Sequence, residues 1–426
     1  MSNIYRASLE EIKHLQWLTV EKQLLYIQKN SVFYGEMFKK NQLDPSKINS
    51  YTEFQKIPIT TKEEVQEFNE DFICVPQSEI IDFVTTSGTL GKPVSFALNE
   101  ADLQRLATNE MESFKMVGVK KDDVVQITTT LDRRFMAGMA YFLGLRKLGA
   151  GIVRTGSGLP QLQWDSIARF KPKYLVTVPS FLLKMIEYAE LNNINFNNSS
   201  VKAVICIGEP IRDLKFTLNS LGKKISKFWD IELFSTYAST EMATAFTECE
   251  VHQGNHAQPE LIFTEILDEA GRPVKPGDIG ELVVTTLQVE TMPLLRFATG
   301  DMVTYTDEAC KCGRNTLRLS PVVGRKNQMI KFKGTSLYPQ HIIEVLNNFK
   351  GIPAYVIEVK TNEFGTDDVV VKIPDFLDAE KVSLLKEHFK SKLQVTLTVE
   401  TVSSKIIEDL KSPEGSRKPV VFIDYR

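Results

Sequence analysis

The sequence predicts an α/β protein with a large N-terminal domain of mostly parallel sheets and a small α+β domain at the C-terminal end. Three observations lead to this fold class. Short apolar runs rich in Val and Ile alternate with helical patterns after about residue 82, an antiparallel texture follows over 263–287, and the last hundred residues carry a helix–strand pattern of their own. Alternating strands and helices favour a sheet with helices on both faces.

The middle of the chain supplies the elements of the predicted parallel sheet. Buried strands are expected at 124–128, 174–178, 201–207 and 231–236, and helices between them at 135–148, 181–191 and 211–221. The first 80 residues begin with helical spacing of apolar residues, in Leu15, Leu18 and Leu25. Sheets of this class bind ligands where loops leave the strand ends. Those loops are therefore the first places to look for a site.

The C-terminal third predicts an antiparallel β-subdomain followed by a small domain. Ala270-Gly271 and Pro276-Gly277 separate two apolar runs in 263–287, which indicates strand, turn and strand. Past a joint at 324–333, the chain predicts helix, strand, strand, helix and strand at 339–348, 354–359, 367–373, 379–393 and 395–402. A unit of about 100 residues can fold independently. The expected domains are 1–324 and 325–426.

Composition and charge exclude several classes of protein. The chain has 426 residues, a hydrophobic fraction of 42% and a net charge of −3, so neither disorder nor general attraction to nucleic acid or an anionic membrane is expected. No apolar run reaches the roughly 20 residues of a membrane span. The N-terminus carries Glu10 and Glu11 and does not read as a signal peptide. Five cysteines, few and odd in number, indicate a reducing, cytoplasmic environment.

A glycine-rich loop, TTSGTLGKP from Thr85 to Pro93, follows a mostly apolar run. Glycines let backbone N–H groups approach phosphate oxygens, and hydroxyls donate further bonds. The loop is not a Walker A motif, because Thr86 stands where its first glycine would be and Pro93 replaces the hydroxyl after the lysine. Spacing alone leaves two interpretations open, a polar hairpin turn and a phosphate loop.

The cysteines and histidines leave two further interpretations open. Zn²⁺ in structural sites takes four N or S ligands in a tetrahedron. A CxC pair with a distant Cys and His seven residues apart could supply them, with His252 as an alternative ligand, or these cysteines are unrelated and reduced. Cys74 and Cys206 lie in apolar runs and are expected to be buried and inert. The four candidate ligands are Cys249, His256, Cys310 and Cys312.

Five motifs follow one another in a characteristic order. After the glycine-rich loop come Gly208-Glu209-Pro210, the run Tyr237 to Glu241 (YASTE), the run Arg296 to Asp301 (RFATGD) and Gly324-Arg325. This order resembles the adenylate-forming superfamily of AMP-forming acyl and aryl ligases. Three features are similar to its phenylacetate–coenzyme A ligase branch in particular: segment 30–65, the CxC pair, and KGTSLYPQHIIEVL at 333–346. The resemblance covers nearly the whole chain.

The resemblance implies an ATP and Mg²⁺ site whose residues carry over one by one. Thr240 is expected to bond the α-phosphate and Glu241 to coordinate Mg²⁺. Asp301 and Arg325 are expected to hold the ribose hydroxyls, which a carboxylate and a guanidinium can both do. The residues expected at the phosphates are Thr86, Ser87, Gly88 and Thr89, and those expected at the adenine are Gly208, Glu209, Pro210, Thr236 and Tyr237. The resemblance also favours the zinc interpretation of the Cys/His set.

The family's catalytic lysine falls in the tail SPEGSRKPVVFIDYR. Its distance from the final apolar strand assigns it to Lys418. Ser416, not a lysine, follows Gly415 directly, so the register differs from the family's Glu-Gly-Lys. Lys411 and Arg417 are the competing residues, and a basic surface tail is the remaining alternative.

Two departures from the family pattern bear on the acyl pocket and the hinge. Ala238 replaces the glycine after the tyrosine and could narrow the pocket, while Asn327, followed by Gln328, replaces the hinge aspartate. Apolar and aromatic walls are the usual lining of such pockets. The candidate pocket residues are Phe135, Met136, Tyr141 and Ala238.

The resemblance implies an ATP-dependent carboxylate–CoA ligase. In that reaction a carboxylate attacks the α-phosphate of ATP, pyrophosphate leaves, and the thiol of coenzyme A displaces AMP from the acyl-adenylate. The small domain rotates between the two steps. The expected partners are coenzyme A and a carboxylic acid, with an aromatic acid favoured. Transfer to an amine or a carrier-protein thiol, a non-catalytic nucleotide-binding descendant, and a homodimeric assembly stay open.

Overall fold

The computed structural model describes residues 4–86, 94–332, 335–363, 367–412 and 420–426. The chain divides into two compact units, the first Met1–Thr299 with Val303–Pro321 and the second Gly300–Met302 with Val322–Arg426. The second unit takes in Gly300–Met302 because Asp301 and Met302 pair with Arg325 and Gly324. The domain boundary predicted at 324 and 325 stays a prediction.

The helices begin where the sequence supplies caps. Ser8, Thr61 and Asn99 each form a capping box at the start of a helix. The helices of the first unit are α1 (Leu9–Asn30), α2 (Val32–Lys40), α3 (Tyr51–Phe54), α4 (Lys62–Glu67), α5 (Glu100–Val117), α6 (Met136–Leu148), α7 (Pro160–Phe170), α8 (Pro179–Leu191) and α9 (Ser220–Phe228). Those of the second unit are α10 (Pro339–Asn348), α11 (Ala379–Leu393) and α12 (Ser404–Lys411).

The strands that build the first unit include the four buried runs predicted from the sequence. In chain order they are β1 (Asp82–Thr85), β2 (Ser95–Leu98), β3 (Val124–Ile127), β4 (Gly151–Arg154), β5 (Tyr174–Thr177), β6 (Ala203–Cys206), β7 (Glu232–Ser239), β8 (Thr244–Glu248), β9 (Asn255–His256), β10 (Ile262–Leu267), β11 (Gly280–Thr286), β12 (Phe297–Val303), β13 (Tyr305–Thr306) and β14 (Arg318–Leu319). Residues Gly300–Met302 of β12 belong to the second unit.

One large mixed sheet organises the first unit. Its strand order is β13-β14-β9-β8-β7-β6-β5-β3-β4. The neighbours from β7 to β4 are parallel, whereas β8 returns antiparallel on β7. The strand order reverses between β3 and β5, and crevices at such a reversal are the usual ligand sites of α/β sheets. The predicted mostly parallel sheet is thus confirmed.

Helices cover both faces of this sheet, as successive side chains of a strand point to opposite faces. Leu175 of β5 packs with Trp164 and Trp229 under α7, α8 and α9. The next residue, Val176, packs with Phe114 and Tyr141 under α5 and α6. Both faces of β5 are therefore dry, which explains why its sequence is continuously apolar.

The helix predicted at 211–221 is wrong. In its place the chain makes a turn in which Asp213 Oδ1 accepts hydrogen bonds from the backbone N–H groups of Lys215 (2.9 Å) and Thr217 (3.1 Å). Helix α9 begins only after Asn219, whose side chain accepts from the N–H of Gly222. A short acidic side chain that binds nearby backbone donors competes with helix formation, and here it wins.

The predicted antiparallel subdomain is confirmed. Strands β10 and β11 pair antiparallel over their full lengths, and β12 follows β11 in the same sheet. The breakers Gly271 and Gly277, with φ of 74° and 90°, make the turns between them in the left-handed region that favours glycine.

The second unit is a small α+β fold. Its strands are β15 (Gly324–Arg325), β16 (Ile330–Phe332), β17 (Thr335–Leu337), β18 (Val356–Thr361), β19 (Asp367–Pro374), β20 (Thr398–Val402) and β21 (Phe422–Asp424). A sheet of order β20-β19-β18-β21 packs with α10 and α11 around buried Ile342, Val371 and Phe389. Both long helices have the predicted bounds. In the described part of the chain, no helix is long and apolar enough to cross a membrane.

Candidate active site and metal centre

Neighbouring parallel strands bring two of the sequence motifs together. Cys206 at the end of β6 lies in register with Ser235 of β7, so the loop Gly208–Pro210 leaves the sheet beside Thr236 and Tyr237. Gly208 has a φ of 72°, a conformation that other residues rarely adopt. The structure therefore places both sets of predicted adenine residues at the same edge of the sheet.

Glu209 is held at the N-terminal end of a helix. Its carboxylate accepts bonds from the backbone N–H (2.8 Å) and the hydroxyl (2.9 Å) of Ser180, in the first turn of α8. A carboxylate is favourable at a helix N-terminus because the first N–H groups have no partner within the helix. This contact ties the Gly208–Pro210 loop to the end of β5, beside the point where the strand order reverses.

Thr240 and Glu241 lie in the tight turn that connects β7 to β8, between the paired residues Ser239 and Thr244. The Nζ atom of Lys62, at the first position of α4, lies 3.0 Å from Oε1 of Glu241. The Glu241 side chain is 11% exposed and that of Lys62 is 44% exposed. No sequence pattern marks Lys62 as a site residue, because a lysine at the start of a short helix carries no signal of its own.

A small open cleft lies beside this turn. Thr240, Glu241 and Ala243 form one side of it. Its other polar groups come from buried Asp102 and Arg105 of α5 and from buried Thr286 of β11. Its apolar lining comes from Phe96, Ala97, Leu98, Met136, Val289 and Met292.

The four candidate pocket residues do not share one environment. Met136 is buried and lines the cleft next to the Thr240–Glu241 turn. Phe135, immediately before α6, is 38% exposed, and Ala238 is exposed on β7. Tyr141 packs in the core edge-on to Phe114, with ring centroids 6.3 Å apart. The structure thus brings Met136 to the cleft. Tyr141, also on α6, instead packs into the core between the helix and the sheet.

The base of the glycine-rich loop is closed by Thr86. Its N–H donates to the carbonyl of Val94 (2.9 Å), and its hydroxyl accepts from the N–H of Val94 (3.0 Å). Ser87, Gly88 and Thr89 lie outside the described residues, as does Lys418. Their predicted roles stay predictions.

Asp301 and Arg325 form a pair within the second unit. They are directly opposite each other on β12 and β15, and Nε of Arg325 lies 3.4 Å from Oδ1 of Asp301. Arg325 is 45% exposed, so solvent screens the attraction and the pair contributes little to folding stability. The sequence separated these two motifs by 24 residues, and the strand pairing unites them.

The Cys/His set predicted from the sequence converges on one point. The ligand atoms of Cys249, His256, Cys310 and Cys312 all lie within 4.8 Å of one another, and all four residues are buried. Sγ of Cys249 is 3.8 Å from Sγ of Cys310, too far for a disulfide bond. Sγ of Cys312 is 3.6 Å from Nε2 of His256.

Two members of this cluster, His256 and Cys312, have pKa shifts that suit a cation, whereas burial raises the pKa of the Cys249 thiol. His256 Nδ1 lies 2.8 Å from Oγ1 of Thr316, an orientation that leaves Nε2 for a ligand. Burial, followed by the charges of Arg314 and Arg318, lowers the pKa of His256 to about 3, so the ring is neutral. Although burial opposes it, hydrogen bonding from Arg314 and the neighbouring thiols lowers the pKa of Cys312. A neutral imidazole and thiolates are the forms that bind metals.

The other cysteines and His252 stand apart from the cluster. His252 turns its ring to two carboxylates, Nδ1 to Glu248 (3.0 Å) and Nε2 to Glu232 (3.1 Å). Cys206 is buried, whereas Cys74 is only partly buried. Burial raises the pKa of both thiols, that of Cys74 to about 12. Both are therefore protonated and weakly nucleophilic.

Comparison with known proteins gives the class to which this site belongs. A model of the family described as AMP-binding enzyme matches residues 25–291. The chain belongs to this AMP-binding enzyme family.

Particular relatives are similar over most of their length. The phenylacetate-coenzyme A ligase of Thermus thermophilus is 26% identical over 370 residues, which cover 85% of this chain and 81% of that protein. The protein of the same name from Aromatoleum evansii is 26% identical over 411 residues, 95% and 91% of the two chains. A 2-hydroxyisobutyryl-CoA ligase structure in the postadenylation state shares the fold, with a TM-score of 0.83 and 23% identity, and covers 99% of this chain and 91% of its own.

Proposed function

We propose that the chain is an ATP-dependent carboxylate–CoA ligase that activates an apolar acid as its acyl-adenylate. One observation carries the proposal: the Thr240–Glu241 turn borders a cleft that Met136 and other apolar side chains line. At the same edge of the sheet, the loop Gly208–Pro210 emerges beside Thr236 and Tyr237. An apolar recess next to phosphate-binding and cation-binding side chains suits a carboxylate and a nucleotide together.

The residues of the turn are proposed to bind the charged groups of the nucleotide and its metal ion. The Thr240 hydroxyl is a donor for an α-phosphate oxygen, and the Glu241 carboxylate is a ligand for Mg²⁺ accompanying ATP. Phosphoryl-transfer sites work mainly by positioning and electrostatic stabilisation, so no side-chain nucleophile is needed. Lys418 is proposed to supply a second positive charge in the first step. Asp301 and Arg325 are proposed to bind the ribose hydroxyls.

The acid is proposed to be aromatic or otherwise apolar. The cleft wall of Phe96, Met136 and Met292 offers apolar contacts, and Arg105 already binds other groups of the protein. The relatives named phenylacetate-coenzyme A ligase support an aryl acid and coenzyme A as the acceptor. The similarity in fold to a 2-hydroxyisobutyryl-CoA ligase adds a smaller branched acid to the candidate substrates.

The Cys/His cluster is proposed to hold a structural Zn²⁺. A tetrahedral site with Zn–S near 2.3 Å and Zn–N near 2.0 Å places two sulfurs about 3.8 Å apart and sulfur and nitrogen about 3.5 Å apart. Two of the observed separations, 3.8 Å for Cys249–Cys310 and 3.6 Å for Cys312–His256, suit this geometry, and all four ligand atoms lie within 4.8 Å of one another. Four protein ligands leave no open position, so the ion would hold the β9 region together and take no part in the reaction.

The test is a screen of carboxylic acids for acid-dependent exchange of pyrophosphate into ATP. We expect exchange with aryl or branched apolar acids, and an acyl-CoA product once coenzyme A is added. Glu241→Gln, which should raise the Mg²⁺ concentration needed for exchange, serves as the control for the same site. Exchange without any acyl-CoA would transfer the proposal to an amine or carrier-protein acceptor. No exchange with any acid, together with tight ATP binding, would contradict a ligase.

A further inference from the structure

We propose that Arg105 is a positioning residue for the reaction: its buried guanidinium fixes the turn that presents Thr240 and Glu241. The inference rests on the proposed function of that turn. Arg105 itself touches no reacting atom in this proposal and acts through the backbone. It lies on α5, more than 130 residues before the turn in sequence.

Four hydrogen bonds connect Arg105 to three separate segments. Nη1 donates to the carbonyl of Ala243 (2.6 Å), and Nη2 donates to the Thr244 hydroxyl (2.8 Å). Nη2 also donates to the carbonyl of Leu261 (2.5 Å), and Nε donates to that of Leu287 (2.6 Å). The planar fork of five donors can hold several acceptors at fixed angles, which a lysine cannot do.

The first two acceptors lie at the end of the turn. Ala243 is its last residue and Thr244 is the first residue of β8. Ala243 has a φ of 46°, in the left-handed region that alanine rarely adopts. Such a conformation persists only where its surroundings impose it. The hydrogen bonds that Arg105 donates to the Ala243 carbonyl and to the Thr244 hydroxyl supply that constraint.

The environment of Arg105 makes the constraint rigid. The residue is only 6% exposed, and all four acceptors are neutral oxygens on a sheet or on adjoining loops. Burial lowers the pKa of Arg105 to about 10, partly offset by Asp102, so the group stays charged at neutral pH. Hydrogen bonds from a buried charged donor are strong and geometrically strict. A surface turn is thereby anchored from below.

The observable consequence is the Mg²⁺ requirement of the first step, because Glu241 is two residues from Ala243. We expect Arg105→Lys to raise the Mg²⁺ concentration for half-maximal pyrophosphate exchange roughly tenfold, the low end for losing bonds to a charged group. Conversion of supplied acyl-adenylate and coenzyme A should fall less than exchange does, since that step needs no pyrophosphate-bound Mg²⁺ and depends on the turn only through the Thr240 contact to the adenylate phosphate. Arg105→Lys/Ala243→Gly should regain most of the loss, because glycine adopts the left-handed conformation unaided.

Arg318→Lys is the matched control. Arg318 is also 6% exposed and donates to two backbone carbonyls, those of Gln253 (2.7 Å) and Glu308 (3.0 Å), away from the turn. It should lower the melting temperature as Arg105→Lys does and leave the Mg²⁺ requirement unchanged. If Arg105→Lys does not fold, Thr244→Val removes one acceptor and should raise the Mg²⁺ requirement about threefold.

Two results separate failure of this inference from failure of the proposed function. If Glu241→Gln shifts the Mg²⁺ requirement but Arg105→Lys and Thr244→Val do not, Arg105 supports the fold only and the inference is overturned. If Glu241→Gln itself shifts nothing, the turn has no cation role and the proposed function of this site falls first.

Discussion

The ammonium of Lys62 lies 3.0 Å from the carboxylate of Glu241, across 179 residues of sequence. This ion pair occupies the carboxylate proposed to bind Mg²⁺. A cation that binds Glu241 has to compete with the lysine for the same oxygens. The ion pair is therefore expected to weaken the binding of Mg²⁺ to Glu241.

We expect Lys62→Met to lower the Mg²⁺ concentration for half-maximal pyrophosphate exchange by roughly 1.5- to 5-fold. A partly exposed pair contributes about 0.2–1 kcal/mol, which corresponds to that range. Magnesium titrations at saturating ATP measure it. Lys47→Met, which breaks an exposed pair with Asp44, is the matched control and should change nothing. A higher Mg²⁺ requirement would show that Lys62 assists the phosphates more than it competes with the metal.

We expect one tightly held zinc per chain at Cys249, His256, Cys310 and Cys312. Metal analysis of protein purified without added zinc measures it. Changing Cys310 and Cys312 to Ser should abolish the zinc and lower the melting temperature, since binding free energy at a structural site adds to folding. Cys74→Ser, which alters a partly buried cysteine outside the cluster, should keep the metal. Zinc retained in full by the double variant would contradict the assignment.

We expect Asp301→Ala to weaken ATP binding by an order of magnitude or more. Charge-assisted hydrogen bonds are worth about 1.5–3 kcal/mol each. The melting temperature should barely move, because the partner Arg325 is 45% exposed. Calorimetric titration with ATP and thermal unfolding measure the two effects. Unchanged ATP affinity would show that Asp301 serves only the pairing of β12 with β15 and does not bind the nucleotide.

We expect Lys418→Ala to impair only the first step. Removing one preorganised group typically costs about 10²–10³ in rate. Acid-dependent pyrophosphate exchange should be lost, while supplied acyl-adenylate and coenzyme A should still give acyl-CoA. Equal loss in both steps would indicate a role in folding or in both steps. If neither step changes, Lys411→Ala and Arg417→Ala test the competing registers.

We expect Glu110→Gln to stabilise the protein at alkaline pH and not at pH 5. Burial raises the pKa of Glu110 to about 8, despite a hydrogen bond from Asn109. The folded chain thus keeps a proton that the unfolded chain loses above about pH 4.5, so wild-type stability falls between pH 4.5 and 8. Melting temperatures at pH 5 and 9 measure it. The variant should melt a few degrees above wild type at pH 9 and at about the same temperature at pH 5.

The control for this prediction lies on the same helix. Glu112 pairs with Lys115 at 2.7 Å on a more exposed face of α5. Glu112→Gln should give the same difference from wild type at both pH values. An equal response of the two variants would mean that Glu110 is not protonated in the folded chain.

Much of the fold could be predicted because buried elements leave strong local patterns. Strands such as Tyr174–Thr177 are apolar on both faces, and helices such as Ala379–Leu393 have the predicted bounds. The error at 211–221 has a local cause: Asp213 binds backbone donors that a helix would use. Tyr141 shows a second limit, since its place on α6 did not reveal that it faces the core and Met136 the cleft.

The sequence by itself determined the class of fold and the order of the nucleotide motifs, because residue types and local spacing encode them. It also predicted the Cys/His cluster, through the resemblance to the phenylacetate–coenzyme A ligase branch. Tertiary structure alone decided which distant groups meet. Lys62 pairs with Glu241, Arg105 reaches the carbonyl of Ala243, and Asp301 lies opposite Arg325. Such contacts depend on strand order and on backbone carbonyls. A carbonyl is the same in every residue, so no residue pattern announces which one a buried guanidinium will bind.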